Sequence, residues 1–410
     1  MKIAYYKIKF RLAAPLAIGS GESRNTDSDV VLDSRNKPVI PASAFAGIIR
    51  HYNGIEYNFK NDFFGYIDGE KSAESRIRFY DAVAASETDI TVRDCVALEN
   101  KVGKDGAKFD LEAVETGADF VTLFELHDAS DDELSTFLDA IAALNAGQLR
   151  IGSKTSRGYG QIRITELSKA EFTLPEDREK WLEFEPYDLE NDKLYSKIEI
   201  PDHSSKFIRI CLNLKQKGAV SIRSYTVKNS EDIESADYVQ LSLKNGTPVI
   251  SGTSWSGAFR DRFCRLSGDK ELTESLFGFV DTKSKTQSKS AVLFSESMIS
   301  DYEMKVITRN SIDRFSAATK DGALYSEKTC YNGRCVLEID LKRDIENLEK
   351  IMKILSAVII DLDRGYLAVG GLTSVGRGLF EVTKITIDGE NVTEALKAAD
   401  ISKMIGGAAV

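Results

Sequence analysis

The sequence predicts an α+β protein made of two tandem ferredoxin-like domains, each ordered βαββαβ. Three observations lead there. Sequence blocks recur in one order at an offset near 210 residues, apolar spacing alternates between strand and helix periods in each copy, and a glycine-rich loop precedes the last strand of both.

The recurrence is direct. PVIPASAFAGIIR, from Pro38 to Arg50, returns as PVISGTSWSGAFR from Pro248 to Arg260, an offset of 210. Phe64-Gly65 returns as Phe277-Gly278, Asp105-Gly106-Ala107 as Asp321-Gly322-Ala323, and Gly117 as Gly333, with offsets drifting from 213 to 216. GSKTSRGYG, from Gly152 to Gly160, returns as GGLTSVGRG from Gly370 to Gly378, at 218. A kept order with a slowly growing offset is what small loop insertions leave behind while packed elements stay fixed. The expected domains are 1–168 and 206–388, joined by an acidic linker at 169–205 with one short helix near Pro175, and followed by a tail at 389–410.

Each element has its own pattern. Ile8, Phe10 and Leu12 alternate with Lys7, Lys9 and Arg11, as in a strand with one buried face, and FIRICLNL from Phe207 is the counterpart. Phe45, Ile48, Ile49 and Tyr52 fall at helical spacing, as do Trp255, Ala258, Phe259 and Phe263. Strands are expected in RIRFYDA and AVLFSES, then in ADFVTLFEL and RCVLEIDL. A second helix follows in DDELSTFLDAIAAL and in DIENLEKIMKILSAVI, with the last strand after each glycine loop. Helices on one face of an antiparallel sheet leave its other face open to a ligand.

Composition narrows the function. A chain of 410 residues with 42% apolar and 29% charged residues can build two cores. No leader sequence and no run of eighteen apolar residues stands out, so the expectation is a soluble, cytoplasmic protein. The net charge of −10 requires any phosphate contact to come from a local basic groove. Five scattered cysteines read as reduced thiols; Cys330 and Cys335 enclose YNGR and read as flanking a turn, since no second ligand pair follows. Three histidines are scant material for a His-rich metal centre or a Ser-His-Asp triad.

The glycine loops carry donors beside residues that permit close backbone approach, a combination suited to phosphate. In copy one these are Gly152, Ser153, Lys154, Arg157 and Gly158; in copy two, Gly370, Gly371, Gly376 and Arg377. A tight turn before a strand would use the same glycines. PASAFAG and SGTSWSG open helices with small or hydroxyl residues, so Ser43, Thr253 and Ser254 stand where backbone N–H groups meet an anion, or where a side chain simply caps the helix. Arg50 and Arg260 would add charge to such a groove.

The P-x-I-P/S segment with its downstream FFG or LFG, together with the terminal glycine loop, resembles the RAMP superfamily of CRISPR-associated proteins. The block ITRNSIDRFSAATKDGALYSEKTCYNGRCVLEIDL, from Ile307 to Leu341, is similar to the Cas-seven-like backbone subunits of type III effectors. Two fused copies resemble a type III-D arrangement. The resemblance implies guide-RNA backbone clamped by each copy, a target single-stranded RNA paired to the guide, and other effector subunits as partners. It also implies thumb loops around residues 92–110 and 308–326, with Arg309, Arg314 and Phe315 as RNA contacts in copy two; Asn100 and Lys101 stand where Arg314 and Phe315 would fall in copy one.

Members of the family that cut target RNA use an aspartate between the first strand and the P-x-I-P helix. In copy one Asp27, Asp29 and Asp33 compete; the offset of 210 carries them to Asp237, Val239 and Leu243. Asp27 and Asp237 are therefore the expected cleavage residues and ligands of Mg²⁺ or another divalent cation, with the ion bound only when RNA phosphate completes its shell. The alternative is a scaffold that binds guide RNA with inert aspartates. A nucleotide-binding enzyme would need G-x-G-x-x-G between a strand and a helix, whereas these loops precede strands.

Overall fold

A computed structural model describes residues 1–21, 26–54, 61–69, 71–99, 102–224, 236–281 and 285–398, with side chains described for all of these except 97–99, 102–107 and 281. Two compact units emerge. The first comprises Met1–Thr91, Phe109–Thr155 and Tyr159–Ser205; the second comprises Val92–Lys108, Ser156–Gly158 and Lys206–Val410.

The first copy runs β1 (Lys2–Leu12), α1 (Ala42–Tyr52), β2 (Ile77–Phe79), β3 (Ala82–Ala84), β4 (Ile90–Glu99), β5 (Val102–Val114), β6 (Asp119–His127), α2 (Asp131–Asn145), β7 (Ile162–Thr173) and α3 (Arg178–Leu182). β1 lies between β7 and β6, antiparallel to both, with Ile8 opposite Leu167 on one side and Thr122 on the other. β2 and β3 both pair with β6, and β4 and β5 form a separate ribbon. Ile8, Phe10 and Leu12 are buried as expected, in a core shared with Phe45, Ile49, Phe137 and Ile141. Burying each such side chain is worth about 1.5–3 kcal/mol. Ser130 and Glu133 form a reciprocal capping box that starts α2.

The other face of this sheet is not open. Ile3, Tyr5, Leu123, Ala170 and Phe172 form a second apolar cluster there, covered by Leu174, Trp181, Phe184, Leu189 and Tyr195. Trp181 Nε1 donates to the Tyr5 hydroxyl at 3.3 Å. Lys7, expected to point into water, is 1% exposed. Its ammonium donates to the Asn191 carbonyl at 2.8 Å, pairs with Asp192 and lies 4.1 Å from the Tyr195 ring centroid. A buried ammonium needs such partners, and residues far along the chain supply them. The 169–205 stretch, expected as a linker, is therefore strand to Thr173 and a cover for the first unit's sheet beyond it.

The second copy repeats the plan with β8 (Phe207–Gln216), β9 (Tyr238–Gln240), α4 (Gly252–Ser267), α5 (Lys270–Phe277), β10 (Val292–Phe294), β11 (Glu303–Arg309), β12 (Tyr325–Tyr331), β13 (Arg334–Lys342), α6 (Leu348–Arg364) and β14 (Phe380–Ile387). β8 lies between β13 and β14, antiparallel to both, and β10 pairs with β13. Ile208, Ile210, Leu212 and Leu214 are buried with Trp255, Phe259 and Phe263 of α4 and Ile351, Leu355 and Val358 of α6. Where one helix was expected there are two: Gly268 adopts a left-handed conformation that ends α4, and the Asp269 side chain caps α5. A second sheet joins β12 antiparallel to β11 and parallel to β9, with Tyr238 beside Glu327. That parallel pairing brings the loop before α4 to the thumb strand.

Among the described residues no helix is long and apolar enough to cross a membrane. Because Trp181 both packs on the outer face and bonds Tyr5, Trp181→Ala is expected to lower stability by about 3 kcal/mol, read from urea unfolding. An unchanged midpoint would show that the cover adds nothing.

Candidate nucleic-acid interface

The three carboxylates of copy one's first loop have different environments. Asp29 is buried and accepts from the Thr26 N–H at 2.9 Å and the Thr26 hydroxyl at 2.8 Å. Asp33 accepts from the N–H groups of Lys37 and Arg35, each at 2.8 Å, and the Lys37 bond is the main reason its carboxyl lies below the usual range. Asp27 alone of the three is exposed without closing its own turn. Its N–H donates to Asp110 Oδ1 at 2.9 Å, while its Oδ2 accepts from the Asp110 N–H at 3.0 Å.

Asp237 stands in the same setting. Its N–H donates to the Ser326 hydroxyl at 3.1 Å, and its Oδ2 accepts from the Ser326 N–H at 2.7 Å and hydroxyl at 3.1 Å. The surrounding loop keeps the 210 offset in its hydrogen bonds: Val39 N–H to the Val31 carbonyl matches Val249 to Leu241, and Asp33 to Lys37 matches Leu243 to Thr247. Sequence reasoning overlooked Asp110 and Ser326. The signal was present, because the 216 offset of the neighbouring Asp-Gly-Ala triplet carries 110 to 326.

A cation lies over an aromatic ring one residue along the chain from Asp110 and from Asp237. Lys154 Nζ is 4.8 Å from the ring centroid of Phe109, the residue before Asp110. The Arg223 guanidinium is 3.9 Å from the centroid of Tyr238, the residue after Asp237, and Tyr238 meets Tyr325 at 6.4 Å. Cation and ring faces together suit a nucleic-acid strand, whose phosphates and bases ask for both. Arg223 was also missed, since nothing marks it in the sequence apart from its fold neighbours.

The glycine loops approach backbone closely, but the backbone is their own. A β-carbon on Gly160 would overlap the Ile151 carbonyl, and one on Gly378 the Val369 carbonyl. Gly152 lies against the Ala17 carbonyl and Gly370 against that of Ser221, which accept from the Ser153 and Gly371 N–H groups at 2.8 Å each. Arg157 and Gly376 are exposed, while Gly158 packs on the Phe294 carbonyl within the second unit.

Each helix start is also met internally. The Ala42 N–H donates to Asp81 Oδ1 at 2.7 Å, and Ser43 lies exposed in the first turn of α1 rather than capping it. Ser251, not Thr253, caps α4 by accepting from the Ser254 N–H at 3.3 Å. A β-carbon on Gly252 would come within 2.5 Å of the Arg157 and Phe294 carbonyls. These acceptors occupy the place an anion was expected to take. Arg50 reaches the Gly65 carbonyl at 3.5 Å, and Arg260 is half-buried on α4.

On the thumb of copy two, Phe315 is 99% exposed and Arg314 exposed beside it, on a turn where Asp313 accepts from the Phe315 and Ser316 N–H groups at 2.9 Å. Arg309 and Arg377, expected at RNA, turn inward instead. Both pair with Glu327, which is 1% exposed, and Arg377 donates to the Tyr331 hydroxyl at 3.0 Å. A buried carboxylate demands such counter-charge. Asn100 and Lys101 of copy one lie outside the described residues.

Other candidate chemistry is bound up in structure. Burial pushes the Cys330 thiol up to about 11 and that of Cys335 to about 12, so both stay protonated at neutral pH. His127 lies 2.6 Å from Glu125, and His203 2.8 Å from Asp139. Among the described residues no group of three or more His, Cys, Asp or Glu could hold a metal ion.

Two stretches, residues 9–163 and 218–381, match the family model of the RAMP superfamily. They cover well over half of the chain, which therefore belongs to the RAMP superfamily in both copies. Membership makes it a CRISPR-associated RNA-binding protein, of a kind that associates with other effector subunits. No curated protein matches the chain.

Glu327→Ala is expected to cost about 3–5 kcal/mol, because it strands two guanidinium groups at the base of the thumb. Urea unfolding of the purified chain checks this; a loss below about 1 kcal/mol would remove the cluster's structural role.

Proposed function

We propose that the chain is a Cas-seven-like backbone subunit of a type III effector, with two ferredoxin-like domains, that clamps guide RNA and cuts complementary target RNA at Asp27 and Asp237. The observation that carries this is the environment of the loop carboxylates. Asp29 is buried and Asp33 ties its own turn, whereas Asp27 and Asp237 are exposed, occupy matched loop positions and each exchange hydrogen bonds with a strand residue. The sheet order in each copy, fourth-first-third-second in chain order with the helices packed on one face, supports the domain reading.

Chemically, each aspartate orients the ribose 2′-OH of a splayed target nucleotide toward the adjacent phosphate. The O2′–P bond forms, the P–O5′ bond breaks, and the proton lost from the 2′-OH is balanced by one gained at the 5′-oxygen. The residues fit a cation held mostly by RNA, since each site offers carboxylate oxygens too few for an all-protein cage. Asp27 or Asp237 together with RNA phosphate would hold Mg²⁺, which would supply neutralisation of the phosphate charge. Exposed Phe315 is placed to stack on a base at the edge of the duplex.

The scaffold reading has its own support, because both carboxylates already pin their loops to a strand. Changing both Asp27 and Asp237 to Ala in the guide-loaded complex separates the two. Loss of Mg²⁺-dependent target cutting with guide and target binding kept supports the nuclease; unchanged cutting leaves the scaffold.

A further inference from the structure

The reciprocal bonds at the two aspartates are the same device built from different residues. In copy one the strand position is Asp110, whose carboxylate accepts the Asp27 N–H; in copy two it is Ser326, whose hydroxyl accepts the Asp237 N–H. In both, the strand N–H at that position returns a bond to one oxygen of the loop aspartate, at 3.0 Å and 2.7 Å. We propose that Asp110 and Ser326 are positioning residues that fix the loop aspartates for cleavage, a role that rests on the nuclease reading above.

The argument is geometric. A loop aspartate has two side-chain torsions and a mobile backbone, so an exposed carboxylate samples many directions. A strand N–H on one carboxylate oxygen restrains the side-chain torsions, and the return bond from the loop N–H restrains the backbone that carries them. The strand that does this is paired in both copies: Asp110 lies on β5, and Ser326 on β12 is opposite Thr308 of β11. Asp and Ser share little in size or charge. What they share is an oxygen that accepts from the loop N–H, so that acceptor is the common requirement.

A positioned reacting group loses on the order of 100-fold when displaced by about 1 Å, so loss of one tether is expected to cost at least tenfold. The test uses the full complex with guide and an end-labelled target, reading each cut separately and assigning it by Asp27→Ala and Asp237→Ala. Asp110→Ala should slow the Asp27-dependent cut about tenfold or more, with target affinity and the Asp237-dependent cut unchanged. Asp110→Ser should recover most of that loss, and Ser326→Ala should mirror it at the other cut. Asp110→Ala with both cuts at full rate, Asp110→Ser no faster than Asp110→Ala, or weakened target binding in step with slower cutting would each overturn the positioning role. If Asp27→Ala and Asp237→Ala leave every cut intact, the nuclease reading itself fails, a result distinct from these.

Discussion

Gly160 and Gly378 stand where no β-carbon fits, each against a carbonyl at the start of its own loop. Both have positive φ, near 78° and 76°, which only glycine adopts without strain. Their N–H groups donate to the carbonyls of Pro15 and Ala219, each just past the end of the first strand. The entry to the last strand is thus tied to the exit from the first. Since the last strand also pairs with the first, the tie closes a rigid corner from which the aspartate loop departs. The loop thus leaves each first strand from a fixed corner, and further along the chain the bonds with Asp110 and Ser326 hold Asp27 and Asp237.

An acidic chain that belongs to an RNA-binding family must keep its basic groups where they matter. Much of the arginine here is spent on the protein itself: Arg209 on Asp340, Arg262 on Asp361, and Arg309 with Arg377 on Glu327. Lys154 and Arg223 lie over the rings of Phe109 and Tyr238, each one residue along the chain from Asp110 or Asp237. Net charge therefore misleads about function, because screening beyond roughly 8–10 Å leaves RNA responding to local groups.

The sequence made the duplication plain, since block order and offset survive as packed strands and helices. It also separated Asp27 from Asp29 and Asp33 through the repeat, and Asp27 is the exposed one of the three. What it could not reveal was the partner of each polar group. Lys7 reads as solvated because alternation reports only one sheet, and the segment that buries it arrives some 180 residues later. The glycine loops read as phosphate sites because close approach is visible in sequence, whereas the atom approached is not. Arg377 looked outward for the same reason; Glu327, its partner, lies on another strand.

The two copies are not electrostatic equals. Under the nuclease reading, the positioning group at Asp27 is a second carboxylate, so an approaching phosphate meets two neighbouring anions. At Asp237 the group is a hydroxyl, leaving one anion with Arg223 on Tyr238. At the effective dielectric of a protein surface, one extra charge at about 4 Å changes the local energy by about 4 kcal/mol before solvent relaxation and salt reduce it. Under the nuclease reading, copy one therefore leans more heavily on a counter-cation, while copy two is better arranged to accept phosphate directly. Duplication fixed one frame twice, and the exchange of Asp for Ser at a single strand position gave each frame a different local charge.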